Sequence, residues 1–162
     1  MIASETRPRL QGAKLTTFEL MRDEIPVTLI TDNMTAYFMS KGIVNKIIVG
    51  ADRIVKDSVI NKIGTYNIAI IAKEFGIPFY VAAPISTFDI SSISSSIKIE
   101  ERDSKEVTHI KGKRIAPKGI KVLNPAFDIT PLEFVKAIIT EKGIIHNPNG
   151  KSMAAHTKYM RL

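Results

Sequence analysis

The chain of 162 residues contains no cysteine. That absence removes disulfides, thiolate metal sites and any cysteine nucleophile from these residues. No apolar run approaches the ~20 residues that a membrane-spanning helix needs, and the opening "MIASETRPRL" lacks the basic-then-apolar plan of a secretory signal. A cytoplasmic protein with no membrane partner is expected. The three histidines, His109, His146 and His156, share no metal-ligand spacing, so no metal site is expected. A glycine-rich phosphate loop ending in Gly-Lys-Ser or Gly-Lys-Thr is also missing, and a nucleoside triphosphate is not indicated.

What is present describes an ordinary globule. At 44% hydrophobic and 24% charged residues the composition is that of a folding chain. Its length fits one domain that can bury roughly 70% of its unfolded surface. The net charge of +7 is spread thinly, with "KGKR" (111–114) the densest cluster and no interleaved aromatics. Nucleic acid is therefore not an expected partner, and a solvated basic face or attraction to anionic metabolites fits better.

Short β-rich runs alternate with helical patterns, which predicts a parallel sheet with crossover helices. "VTLIT" (27–31), "KIIVG" (46–50) and "PFYVAAP" (78–84) read as strands. "TTFELMRDE" reads as a helix capped by Thr16 or Thr17, with Glu19 near the capping-box position. "MTAYFMSKG" and "NKIGTYNIAIIAKEFG" read as helices ending at Gly42 and Gly76, the second with an apolar face at Ile63, Tyr66, Ile70 and Ile71. Farther on, "SSISSS" (91–96) is a small-polar loop and "IKIEERD" a candidate strand. "TPLEFVKAIITEKG" (130–143) reads as a helix opened by Thr130 and Pro131, followed by a loosely ordered tail from His146. No internal repeat and no dividing linker is found.

Ligands of open α/β sheets sit beyond the carboxyl ends of the strands, and Asp52 of "GADRI" lies at such an end. A carboxylate walled by isoleucine and valine there would hold its proton more tightly and suit acid–base work. Equally, Asp52 caps a turn or pairs with Arg53. The loop "ETRPRLQG" (5–12) gathers Glu5, Thr6, Arg7, Arg9 and Gln11, either to hold a sugar or as solvated surface. Asn61 and Lys62 are placed at a helix start, where free N–H groups and the macrodipole attract phosphate.

Taken in order, "ETRPRLQG" followed by "LT" and "EL", "TLITD", "IVGADRI", "NKIGTY", "IPFYVAAPISTFD", "IEERDSKEVTHI", "RIAPKGIKVLNPAFDITP" and "AIITEKGII" closely resemble the C-terminal domain of 5-methylthioribose-1-phosphate isomerases. The resemblance runs from Glu5 to about Ile145. That superfamily also holds ribose-1,5-bisphosphate isomerase and the alpha, beta and delta regulatory subunits of the translation-initiation guanine-nucleotide exchange factor. "STFD" and "GADRI" look more like the methylthioribose branch.

The resemblance implies an α/β, Rossmann-like parallel sheet with flanking helices over residues 1–145 and a tail over 146–162. It implies Asp52 as catalytic acid/base, Gln11 as a substrate-binding glutamine and Asn61 with Lys62 as a substrate-binding pair, Arg53 bracing the loop. The implied reaction converts methylthioribose 1-phosphate to methylthioribulose 1-phosphate in methionine salvage, with a sugar phosphate as the small-molecule partner, a homodimer as the assembly and no cofactor. Ribose 1,5-bisphosphate as substrate, or a regulatory binding module, are the alternatives. Two departures stand out: "DRIVKDSVIN" is about one residue short of the family pattern and lacks its Asn-Gly turn, and the family's upstream cysteine and its helical N-terminal domain with phosphate-binding arginine and glycine are not in the sequence. A start almost inside the first strand suggests a truncated or split gene product, so the chain alone is expected to be incomplete for catalysis.

Overall fold

The computed structural model describes residues 1–158. The chain runs β1 (Ile2–Ser4), α1 (Thr17–Arg22), β2 (Thr28–Ile30), α2 (Thr35–Ser40) and β3 (Ile47–Val49). It continues through β4 (Arg53–Val55), β5 (Ser58–Lys62), α3 (Thr65–Glu74), β6 (Phe79–Ala82) and β7 (Phe88–Asp89). Then come α4 (Lys105–Thr108), β8 (His109–Ile110), β9 (Lys113–Arg114), β10 (Phe127–Pro131), β11 (Ala137–Thr140), β12 (Gly143–His146) and α5 (Gly150–Lys158). Parallel strands with flanking helices place the chain in the α/β class, as expected. The elements sort into two compact units, Met1–Phe38 with Glu100–Ala126, and Met39–Ile99 with the chain from Phe127 onward.

In the first unit, β1 and β2 pair in parallel, Ile2 beside Thr28 and Ser4 beside Ile30. The helix between them does not begin at the expected Thr16 or Thr17 cap. It opens at Gly12 as a wide five-residue π-turn that runs into α1, no side chain caps it, and the Thr17 hydroxyl donates to the Ala13 carbonyl at 2.8 Å. Packing sets this start: a Cβ at position 12 would lie 1.8 Å from the Ser4 carbonyl oxygen, so only glycine lets the helix open against β1. The expected strand "IKIEERD" is reduced to one bridge, Glu101 with Pro125, flanked by bonds from Ala126 N–H to Glu100 and from Arg102 N–H to Asn124.

The second unit holds two four-stranded sheets, ordered β12-β11-β6-β3 and β10-β5-β4-β7. β3, β6 and β11 are parallel, and β12 folds back antiparallel on β11. Ile54, Val59, Phe79, Val81, Ile138 and Met153 form the heart of one core. Residues 130–143 are not a helix. Thr130 is fully buried in β10, residues 132–134 make one 3-10 turn, and β11 lies between β6 and β12. A strand covered on both sides reads as a continuous apolar run, which periodicity cannot tell from a buried helix.

Helix α3 begins later than expected, after Gly64 at φ +102°, and buries Thr65, Ala69 and Ala72 while Ile70 stays exposed. The small face lies on the core because alanines let the helix approach closely. Its end is a Schellman motif: Gly76 (φ +64°) donates to Lys73 and Ile77 donates to Ala72 at 2.8 Å. The expected loose tail contains α5, whose Met153 is fully buried in the core. Within the described residues, the segment after His146 is part of the packed unit.

Candidate active site

Asp52 sits three residues beyond the end of β3. Its N–H donates to the Ile60 carbonyl at 3.0 Å, although the ladder pairs Ile60 with Arg53. Two successive residues thus face one on the neighbouring strand, the arrangement of a β-bulge, which breaks alternation and re-aims side chains. Asp52 and Arg53 are accordingly both exposed, while Ile54 and Val55 are both buried. The apolar wall expected around Asp52 is therefore not there; the bulge turns the carboxylate outward.

Arg53 reaches Asp89 of the "STFD" segment, Nη1 to Oδ2 at 3.9 Å, joining the two motifs across the parallel β4–β7 pair. Hydrogen bonds from Ser92 and Ser91, with the Arg53 charge adding to them, hold the Asp89 carboxyl below its usual range. Exposed pairs of this kind add little stability, so its effect is on geometry. The short segment between Asp52 and Asn61 closes as a tight hairpin over Lys56 and Asp57, and Asp57 accepts the N–H and the hydroxyl of Ser94 at 2.9 and 2.6 Å.

Asn61 and Lys62 are not at a helix start. They are the last two residues of β5, at the end of the ladder where Asp52 lies, so the structure brings Asp52, Asn61 and Lys62 together. The turn into α3 is held by side chains. Asn61 Nδ2 donates to the Thr65 hydroxyl at 3.0 Å, and that hydroxyl donates to the Lys62 carbonyl at 2.7 Å. Across the β5–β10 ladder Asn61 faces Asp128, whose Oδ2 accepts the N–H groups of Gly64 at 2.7 Å and Tyr66 at 3.1 Å. A carboxylate thus already occupies the first amides of α3, where phosphate was expected. Burial pushes the Asp128 carboxyl above its usual range, against the pull of the Tyr66 and Gly64 hydrogen bonds. Asp128 escaped the sequence reading because it lies just ahead of the helix expected from Thr130, in a stretch given no element; only the ladder places it beside Asn61.

Gln11 belongs to the first unit. Its loop hangs from Asp32 at the end of β2, which accepts the N–H groups of Thr6 at 2.8 Å and Arg7 at 2.6 Å. Arg7 donates to the Val107 carbonyl at 3.1 Å and Arg9 faces Glu106 at 3.7 Å, so both guanidinium groups hold α4. Gln11 differs: its Oε1 is buried without a hydrogen-bond partner. Buried acceptors left unpaired are costly and rare, so this oxygen marks a place for a donor. A groove of about 450 Å³ lined by Lys73, Ile77, Phe79, Phe134, Lys136 and Asn147 lies elsewhere, at the end of β6 opposite to the Asp52 side of its parallel neighbour β3.

Comparison with known proteins identifies what the chain is similar to. The methylthioribose-1-phosphate isomerase of Acetivibrio thermocellus is 60% identical over 150 residues, 91% of this chain and 44% of that protein. The solved 5-methylthioribose 1-phosphate isomerase of Pyrococcus horikoshii OT3 superposes with a TM-score of 0.94 at 45% identity, covering 98% of this chain and 45% of that one. A structure described as translation initiation factor eIF-2B, subunit delta, from A. fulgidus superposes with a TM-score of 0.90 at 54% identity, covering 94% and 46%. The chain thus spans about half the length of the proteins it matches. With residues 1–147 matched by the family's own model, the chain belongs to the initiation factor 2 subunit family.

Proposed function

We propose that this chain is the aspartate-bearing part of a methylthioribose-1-phosphate isomerase, acting on a sugar phosphate in methionine salvage as a cytoplasmic homodimer and without nucleic acid. One observation carries the reading: in a chain 60% identical to such an enzyme, Asp52 and the Asn61–Lys62 pair share one end of the β4–β5 ladder. The Rossmann-like domain then includes α5, whose Met153 is part of its core, and the helical segment that family members place upstream completes the enzyme.

The chemistry needs a group that both gives and takes a proton. Isomerisation breaks the bond between C1 and the ring oxygen, and that oxygen takes a proton. Hydrogen leaves C2 and arrives at C1, while the C2 hydroxyl loses its proton and becomes the ketone. Atoms and electrons balance with no external oxidant. Asp52, turned outward by its bulge, supplies one proton and recovers the other. Lys62 offers a positive charge to the phosphate, and Gln11 keeps the substrate-binding role that the family resemblance implies.

The test is turnover of methylthioribose 1-phosphate by the chain together with its upstream segment, followed by NMR. Asp52→Asn is expected to lower it by about 10²-fold or more with folding unchanged. Near-normal turnover would remove Asp52 from the mechanism. The structure described as an initiation-factor subunit favours a second reading, a regulatory module that docks on a translation factor. Under that reading Asp52→Asn leaves factor binding intact and the wild type shows no isomerisation even with the upstream segment.

A further inference from the structure

Asp128 has no part in the reading above, yet it holds the turn that follows Asn61 and Lys62. Its neighbour across the ladder is Asn61. Its Oδ2 holds Gly64 and Tyr66, the residues on either side of Thr65, whose hydroxyl in turn joins Asn61 to the Lys62 carbonyl. The position that normally caps a helix with its own side chain is here Gly64, which has none. The cap is therefore supplied by a residue 64 positions away in sequence. The second carboxyl oxygen, Oδ1, is buried with no partner, so the group is desolvated beyond what two amide bonds repay.

We propose that Asp128 is a positioning residue for the substrate pair: by clamping Gly64 and Tyr66 it fixes the strand-to-helix turn that sets where Asn61 and Lys62 point. This deepens the isomerase reading and rests on it. A plain helix cap stabilises folding by the same amount whatever Lys62 does. A positioning residue acts through Lys62, and its effect shrinks when Lys62 is gone. The two are separable by a double-mutant cycle.

The cycle uses the full chain titrated with methylthioribose 1-phosphate, followed by calorimetry, together with backbone amide spectra of the unliganded protein. Asp128→Ala is expected to shift the amides of residues 61–66 and to weaken affinity by about 10-fold, but by less than about 2-fold in a Lys62→Ala background. Asp128→Asn, which keeps the size and one acceptor, is expected to recover part of the loss and gives the same comparison if the alanine variant does not fold. Equal losses in both backgrounds, or amides of residues 61–62 that stay in place, overturn the proposal. If those amides move while Lys62→Ala binds like wild type, the clamp stands and the assignment of Lys62 to substrate, in the isomerase reading, falls.

Discussion

A single glycine decides how the first helix can start. Gly12→Ala puts a methyl carbon where the Ser4 carbonyl oxygen already lies, 1.8 Å away, and neither backbone has a flexible end to yield. The expected cost is about 1–3 kcal/mol, read as a lower denaturant midpoint at unchanged slope. At Lys62 the matter is charge. Since Asp128 already takes the Gly64 and Tyr66 amides, the phosphate contact there falls to the ammonium, worth roughly 1.5–3 kcal/mol as a charge-assisted bond. Lys62→Ala should weaken sugar-phosphate binding by about 10- to 150-fold with a smaller effect on turnover at saturation. Unchanged affinity by calorimetry would return Lys62 to the role of an ordinary strand residue.

Among the elements, β11 and the serine loop give opposite lessons. Ile138 is fully buried in β11 between β6 and β12, so Ile138→Ala should cost about 2–5 kcal/mol, measurable as a loss of melting temperature. The loop at 94–96 depends instead on ionisation. Burial pushes the Asp57 carboxyl up, but the hydroxyl and N–H of Ser94 together outweigh it and hold the group below its usual value of 3.8. A carboxylate lowered in the folded state contributes stability that is complete above the unfolded value and is lost as pH falls through the folded one. Below about pH 3.8 the Ser94 amide should therefore lose hydrogen-exchange protection, and Asp57→Asn should abolish that pH dependence. Protection that survives acid in the wild type would show that the loop is held by something other than Asp57.

Across the whole molecule, apolar surface is unevenly covered. The stretches "PFYVAAP" and "NPAFDITPLEF" place Phe79, Val81, Ala126 and Leu132 inside the chain's own packing. Helix α1 does the reverse: it buries no residue, and its Phe18 and Met21, with Leu15 of the π-turn before it, are 59%, 68% and 54% exposed. With the proposed second catalytic group and phosphate cradle supplied by other parts of the enzyme, groups that act as a unit lose most of their effect when one is missing. The isolated chain should fold yet show no measurable isomerisation of methylthioribose 1-phosphate, and adding the upstream segment in cis or in trans should restore it. Robust ketose formation by the 162 residues alone would show that Asp52 and its neighbours suffice.

The sequence alone determined the α/β class, the strands at "VTLIT", "KIIVG" and "PFYVAAP", the glycine ends of two helices, and the ordered motifs that mark the family. Those signals are local: β-branched runs, glycines at positive φ, residues in a fixed order. The tertiary structure decided what depends on pairing between distant segments. Residues 130–143 hold the end of β10, a 3-10 turn and β11 because they pair with β5, β6 and β12, while burial erased the alternation that separates strand from helix in sequence. Asn61 and Lys62 moved from a helix start to a strand end because β10 pairs with β5 through both of them. Asp52 faced outward because an extra residue entered the ladder against Ile60. Asp128 came beside Asn61 only through strand pairing across more than sixty residues, a distance over which no local pattern carries information.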